Sequence, residues 1–150
     1  MQLSALSCRA AAHLGRTVDH ALDGAALSPA GYRVLSWLES GDAAAAVLAD
    51  KLAVSRPTVT AAVDGLEARG FVERCGDADD RRRVTISITA DGRKVLAEAD
   101  ARVAARLGDV LAPLDAVQVS AVVDALELLH GALRVDRERR HRRRSRDLAG

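Results

Sequence analysis

The stretch at residues 45–89, AAVLADKLAVSRPTVTAAVDGLEARGFVERCGDADDRRRVTISIT, reads as two short helices followed by two strands joined by a charged tip. Its second helix is marked at both ends: Ser55 is a natural N-cap, Pro57 falls in the first turn, and Gly70 stops it. Val59, Val63 and Leu66 recur at helical spacing and predict a buried stripe, leaving Arg56, Thr58, Thr60 and Ala61 outward. A small, polar outward face lets a helix backbone approach base edges in a DNA major groove, so this is the candidate recognition helix. Ala53-Val54-Ser55 supplies the tight turn from the preceding helix, expected over residues 42–52 with Val47, Leu48 and Leu52 inward. Ala43 and Ala44 offer that helix no capping oxygen, so its start rests on Asp42. Gly65, which costs about 1 kcal/mol relative to Ala inside a helix, predicts close packing at its position.

Working outward, residues 71–75 and 83–89 read as antiparallel strands, with Val84, Ile86 and Ile88 alternating with Thr85, Ser87 and Thr89. GDADDRR between them is rich in turn formers. Thr89 caps a helix through Val95, Leu96, Ala99, Val103, Leu107 and Leu111, which Pro113 breaks. Asp115 and Gln118 form a capping-box pattern that opens the last helix. Upstream, Leu3, Leu6, Ala10, Leu14, Val18 and Leu22 predict an amphipathic helix that Asp23 and Gly24 end. Ser28 and Pro29 open a second helix, with Tyr32, Leu35 and Leu38 as its stripe. The predicted fold is mainly α with a small two- or three-stranded antiparallel wing.

Composition narrows the function. Aromatic residues make up 2% of the 150 residues, so the core is built from Ala, Val and Leu, which disfavours a roomy catalytic cleft. No nucleophile–base pair, metal-ligand spacing or glycine-rich phosphate loop is present, and no enzyme or cofactor is expected. Residues 1–133 carry 14 basic and 18 acidic side chains, whereas residues 134–150 carry 8 and 3, so the positive charge lies in the tail. Cys8 and Cys75 are too few for a disulfide framework, which fits a reducing cytosol. Met1–Val18 lacks the pattern of a signal peptide, and no stretch reads as a membrane span. The expected compartment is the cytoplasm.

In the last helix Val119, Val122, Leu126, Leu129 and Leu133 step by three and four, the narrow seam of a helix that packs along another. With Leu6 and Ala10 on the first helix, this seam is the predicted interface of a homodimer, because the middle segment offers too little surface to cover both terminal helices.

Over residues 28–133 the chain resembles the MarR family of winged helix-turn-helix transcription regulators. The resemblance rests on LADKLAVSRPTVTAAVDGLEARGFVER followed by DDRRRVTISITADG, where Asp80, Arg82, Ile88 and Thr89 match the family's wing pattern. It implies a single domain: winged helix-turn-helix at 28–92, dimerisation helices at 1–24 and 93–134, and a basic tail at 135–150. It further implies a homodimer on a pseudo-palindromic double-stranded operator, with Arg82 reaching the minor groove and Asp80 shaping the wing through an ion pair with Arg74. The DNA-binding set is then Ser55, Arg56, Pro57, Thr58, Thr60, Ala61, Arg81 and Arg82. A narrow minor groove concentrates negative potential and rewards an inserted guanidinium.

The resemblance also implies repression relieved by a small-molecule effector, for which His13, Tyr32 and Trp37 are the side chains able to stack or hydrogen-bond. Ordinary core packing explains Tyr32 and Trp37 equally well. Cys8 reads as a buried or inert thiol. His13, His20 and His130 lack the spacing of a zinc site and read as surface or interface histidines. The Arg-rich tail reads as a partly helical, fraying extension. The rival reading keeps the fold but turns the alanine-rich recognition face to a protein partner.

Overall fold

Three of the first four helices, α1 (Ala5–Ala21), α2 (Pro29–Leu38), α3 (Ala45–Leu52) and α4 (Arg56–Glu67), open on a serine. Ser4, Ser28 and Ser55 each accept a hydrogen bond from the amide three residues on, satisfying one of the first-turn donors that a helix leaves free. The computed structural model describes residues 4–76 and 84–147; side chains at 137, 138 and 140–147 fall outside that description. The strands β1 (Val72–Gly76) and β2 (Val84–Ile88) follow, then α5 (Ala90–Leu111) and α6 (Ala116–Asp147). Two units result, Met1–Asp109 and Val110–Gly150.

α3 departs from expectation. It begins at Ala45 rather than Asp42, and its N-cap, Ala44, makes no side-chain bond. The reason is non-local: Ala43 exchanges both backbone hydrogen bonds with Ile86, at 3.2 and 2.9 Å, so it belongs to the edge of the sheet. The wing is thus two-stranded, with one residue of a third strand. α3 buries Leu48 and Ala49, with Val47 and Leu52 only partly covered. It ends on Ala53 in the left-handed region, φ 54°, from which Ser55 restarts the chain as α4.

The core of the first unit is aliphatic. Leu27, Val34, Leu35, Leu38, Leu48, Val59, Val63 and Ile86 are essentially inaccessible and come from α2, α3, α4, β2 and the α1–α2 connection. On α2 the buried residues are Gly31, Val34, Leu35 and Leu38; Tyr32 is half-buried. β1 and β2 pair antiparallel with Val72 opposite Ile88, Arg74 opposite Ile86 and Gly76 opposite Val84. Residues opposite one another share a face, so Val72, Ile86 and Ile88 go into the core, while Val84 lies beyond its edge and is exposed.

A clasp joins α4, β1 and α5. The Thr89 hydroxyl donates to the Gly70 carbonyl at 2.7 Å and accepts from the Gly92 amide at 3.0 Å, while the Thr89 amide donates to the Phe71 carbonyl at 3.1 Å. Thr89 therefore caps α5 and holds the end of α4 at once. Gly70, at φ +73°, makes the turn between them.

Gly65 overturns its expectation: no atom lies within 4 Å of where its Cβ would stand, because it is on the outward side of α4, away from Val59, Val63 and Leu66. Gly65→Ala should therefore raise the unfolding free energy by up to about 1 kcal/mol in urea titration, through helix propensity alone. A lowered midpoint would reveal a contact at this position.

Candidate nucleic-acid interface

The outward face of α4 follows from its inward one. With Val59, Val63 and Leu66 buried, a 100° step per residue places Pro57, Thr60, Ala61, Asp64 and Ala68 on the opposite side, and all five are exposed. Ser55, Arg56 and Thr58 are exposed at its N-terminus. The Thr58 hydroxyl is not free, since it shares a 2.7 Å hydrogen bond with Ser55 Oγ. This end of the helix carries the positive pole of its dipole and a guanidinium, which suits a phosphate backbone. The structure thus groups Ser55, Arg56, Pro57, Thr58, Thr60 and Ala61 on one accessible surface. Asp64 also stands there, one turn beyond Thr60, and the sequence reading passed over it.

Arg74 has two partners that the sequence did not suggest. Its guanidinium binds Asp64 and Glu67 of α4. The register explains why: Arg74 shares the face of Val72 and Ile86, which packs toward α4, so the long side chain runs over the end of the core to the two carboxylates. The Asp64 hydrogen bond is the largest of the influences that push the Arg74 guanidinium further above its already high range. Asp80, Arg81 and Arg82 lie outside the described residues.

The candidate effector residues are dispersed. The Tyr32 hydroxyl donates to Asp100 Oδ1 of α5 at 2.7 Å. Burial, then the Asp100 carboxylate, push the Tyr32 phenol up to about 12, so it remains a protonated donor at neutral pH. Trp37, five residues along α2, lies under Lys51 of α3, whose ammonium sits 5.2 Å from the ring centre. Its indole Nε1 is buried without a hydrogen-bond partner among the described residues. His13 is exposed on α1. Each of the three therefore faces a different neighbourhood. His20 Nδ1 sits 3.0 Å from Asp23 Oδ2, and no cluster of three metal-ligating side chains occurs among the described residues. Cys8 is exposed, because no described residue of α1 is buried, which corrects the burial in the expected buried or inert thiol. Cys75 is exposed too.

The terminal helices leave apolar surface open. On α1, Leu6 is 74% exposed, and Ala10 is also accessible. On α6, Val119, Val122 and Leu126 are half-exposed and Leu129 and Leu133 are exposed, but so are Val117 (79%) and Leu128 (77%), outside the predicted seam. The apolar surface is wider than one heptad stripe. Residues Ala116–Asp136 are in fact long and apolar enough to cross a membrane by length and composition, contrary to the sequence expectation, and none of that segment is buried. The Asp115–Gln118 capping box opens this helix as expected: each side chain accepts from the other's amide, at 2.9 and 3.1 Å. The backbone stays helical to Asp147, so the basic tail continues α6.

Comparison with known proteins gives the same picture. The sequence description of the MarR family matches residues 27–83. Apo wild-type MarR from E. coli superposes with a TM-score of 0.74 at 21% identity, over 86% of this chain and 96% of that one. The transcriptional regulator BldR from Sulfolobus solfataricus gives 0.62 at 29% identity, over 78% and 84%. CouR from Rhodococcus jostii RHA1, solved bound to p-coumaroyl-CoA, gives 0.62 at 28% identity, over 83% and 88%. The sequence matches no curated protein.

Proposed function

We propose that the chain is a DNA-binding transcriptional regulator of the MarR type, a homodimeric, cytoplasmic repressor released from its operator by a small molecule; the family match over residues 27–83 and the likeness to BldR support this reading. The observation that carries the DNA-binding part is the exposed, small and polar face of α4, whose Arg56, Pro57, Thr58, Thr60 and Ala61 sit beside a two-stranded wing. Two such helices in a dimer enter successive major grooves about 34 Å apart, and the wings, to which the family resemblance assigns Arg81 and Arg82, reach the flanking minor grooves. Thr60 and Arg56 are the side chains offered to base edges; Ala61 allows close approach and contact with a thymine methyl.

The dimer is supported by the open apolar surface of α6, Val119, Val122, Leu126, Leu129 and Leu133 included, and by Leu6 and Ala10 on α1. A second copy is the natural cover for so much exposed aliphatic area. Binding of a small effector has support in the similar structure of CouR, which was solved bound to p-coumaroyl-CoA. In this chain Tyr32 and Trp37 on α2 and His13 on α1 are the groups available to such a ligand, which acts by shifting the dimer between binding-competent and incompetent spacings.

Binding to tiled duplexes from upstream of its own gene, with excess non-specific competitor, tests this reading. One pseudo-palindromic tile should survive competition, and salt-erased binding to every tile would reduce the activity to the electrostatics of the tail. On the surviving tile, Arg82→Ala should weaken binding about tenfold and lower the salt slope by about one per protomer, roughly two for the dimer. An unchanged affinity would remove the wing from the contact.

A further inference from the structure

Asp64 is the anomaly of the recognition surface. Its carboxylate stands 57% exposed on the outward face of α4, one turn past Thr60, where a phosphate backbone would repel it. Glu67, one turn from it and nearer the wing, adds a second negative charge. Both lie well within a Debye length of about 8 Å from any DNA seated on this helix, so solvent ions do not hide them. A helix meant for DNA should not carry two bare carboxylates there.

They are not bare. The Arg74 guanidinium, held on β1 by its place opposite Ile86, reaches one carboxylate with each terminal nitrogen: Nη2 to Asp64 and Nη1 to Glu67. A planar fork suits this double engagement in a way that a single ammonium does not. The Arg74 side chain is itself only 32% exposed and commits both terminal nitrogens to the helix carboxylates.

We propose that Arg74 is a positioning residue for DNA binding: it screens the Asp64 and Glu67 carboxylates from the operator phosphates. This rests on the DNA-binding reading above. Arg74→Ala frees two negative charges per protomer at the DNA surface, and operator affinity should fall about tenfold at moderate salt, with the loss shrinking as salt rises. The triple variant Arg74→Ala, Asp64→Asn, Glu67→Gln, which removes the exposed charges together with their screen, should recover to within about threefold of the unaltered protein.

The full-length dimer, titrated against its operator at two salt concentrations, makes the comparison, and thermal melting of each variant checks that it is folded. Recovery in the triple variant supports the screen. A triple variant as weak as Arg74→Ala would overturn it and make Arg74 a direct DNA contact, and so would an Arg74→Ala protein that binds normally. Should Arg74→Ala melt early, Arg74→Gln, which removes the charge but keeps hydrogen-bond donors, replaces it: a loss that shrinks as salt rises supports the screen and no loss overturns it. Failure of the unaltered protein to bind any duplex specifically would instead overturn the functional reading, and the screen with it.

Discussion

Gly92→Ala is expected to lower the unfolding free energy by roughly 3 kcal/mol, the upper part of the range for forced overpacking. A Cβ at this position would fall far inside van der Waals contact of the Phe71 carbonyl oxygen and 2.8 Å from Ile88 Cγ1. The first neighbour is backbone, so no rotamer change relieves it. That oxygen also accepts from the Thr89 amide, and the Gly92 amide donates to the Thr89 hydroxyl, so moving either partner breaks the clasp that joins α4 to α5. At fixed protein concentration the thermal midpoint should drop by about 10 °C. A midpoint within 2 °C of the original, on the order of the shift from 1 kcal/mol, would mean that the two backbones do not approach as described.

Leu129→Glu should turn the dimer into monomers and reduce operator affinity by 10²-fold or more, roughly the avidity lost when two linked half-site contacts become independent. The side chain is 48% exposed in the protomer, so a carboxylate there is compatible with the folded chain. In a packed dimer the same carboxylate would be desolvated without a partner, at a cost of several kcal/mol. Sedimentation and operator titration read the two consequences separately. A dimer that survives the substitution would move the interface from the Leu129 seam to the face of Val117 and Leu128.

Much of this architecture is legible in the sequence because it is encoded locally. Serine caps at 28 and 55, the Asp115–Gln118 box, the stop at Gly70 and the alternation around Ile86 and Ile88 each depend on neighbours within about four residues, and all stand as read. The failures share the opposite property. α3 starts late because Ala43 pairs with Ile86, more than forty residues away. Arg74 reaches the carboxylates of α4 because strand register, which no local pattern reveals, points it there. Gly65 looked like a packing residue because its cost was visible and its empty surroundings were not. Asp64 carries no signal in the sequence, since a carboxylate on an exposed helix gains meaning only from the proposed DNA-facing role of that helix. Tyr32, Trp37 and His13 were grouped by chemistry alone, and the fold assigns Tyr32 to Asp100 and Trp37 to Lys51.

The Thr89 clasp has a mechanical meaning. One hydroxyl and two backbone amides pin the exit of the recognition helix, the root of the wing and the first turn of α5 to one another. Torque applied along α5 therefore cannot flex α4 against the hairpin; it swings both together, like one jaw of a caliper. In the proposed repressor only the gap between two such jaws is left to adjust, and the half-site separation of its operator, rather than the letters within each half-site, becomes the quantity that an effector would make it misread.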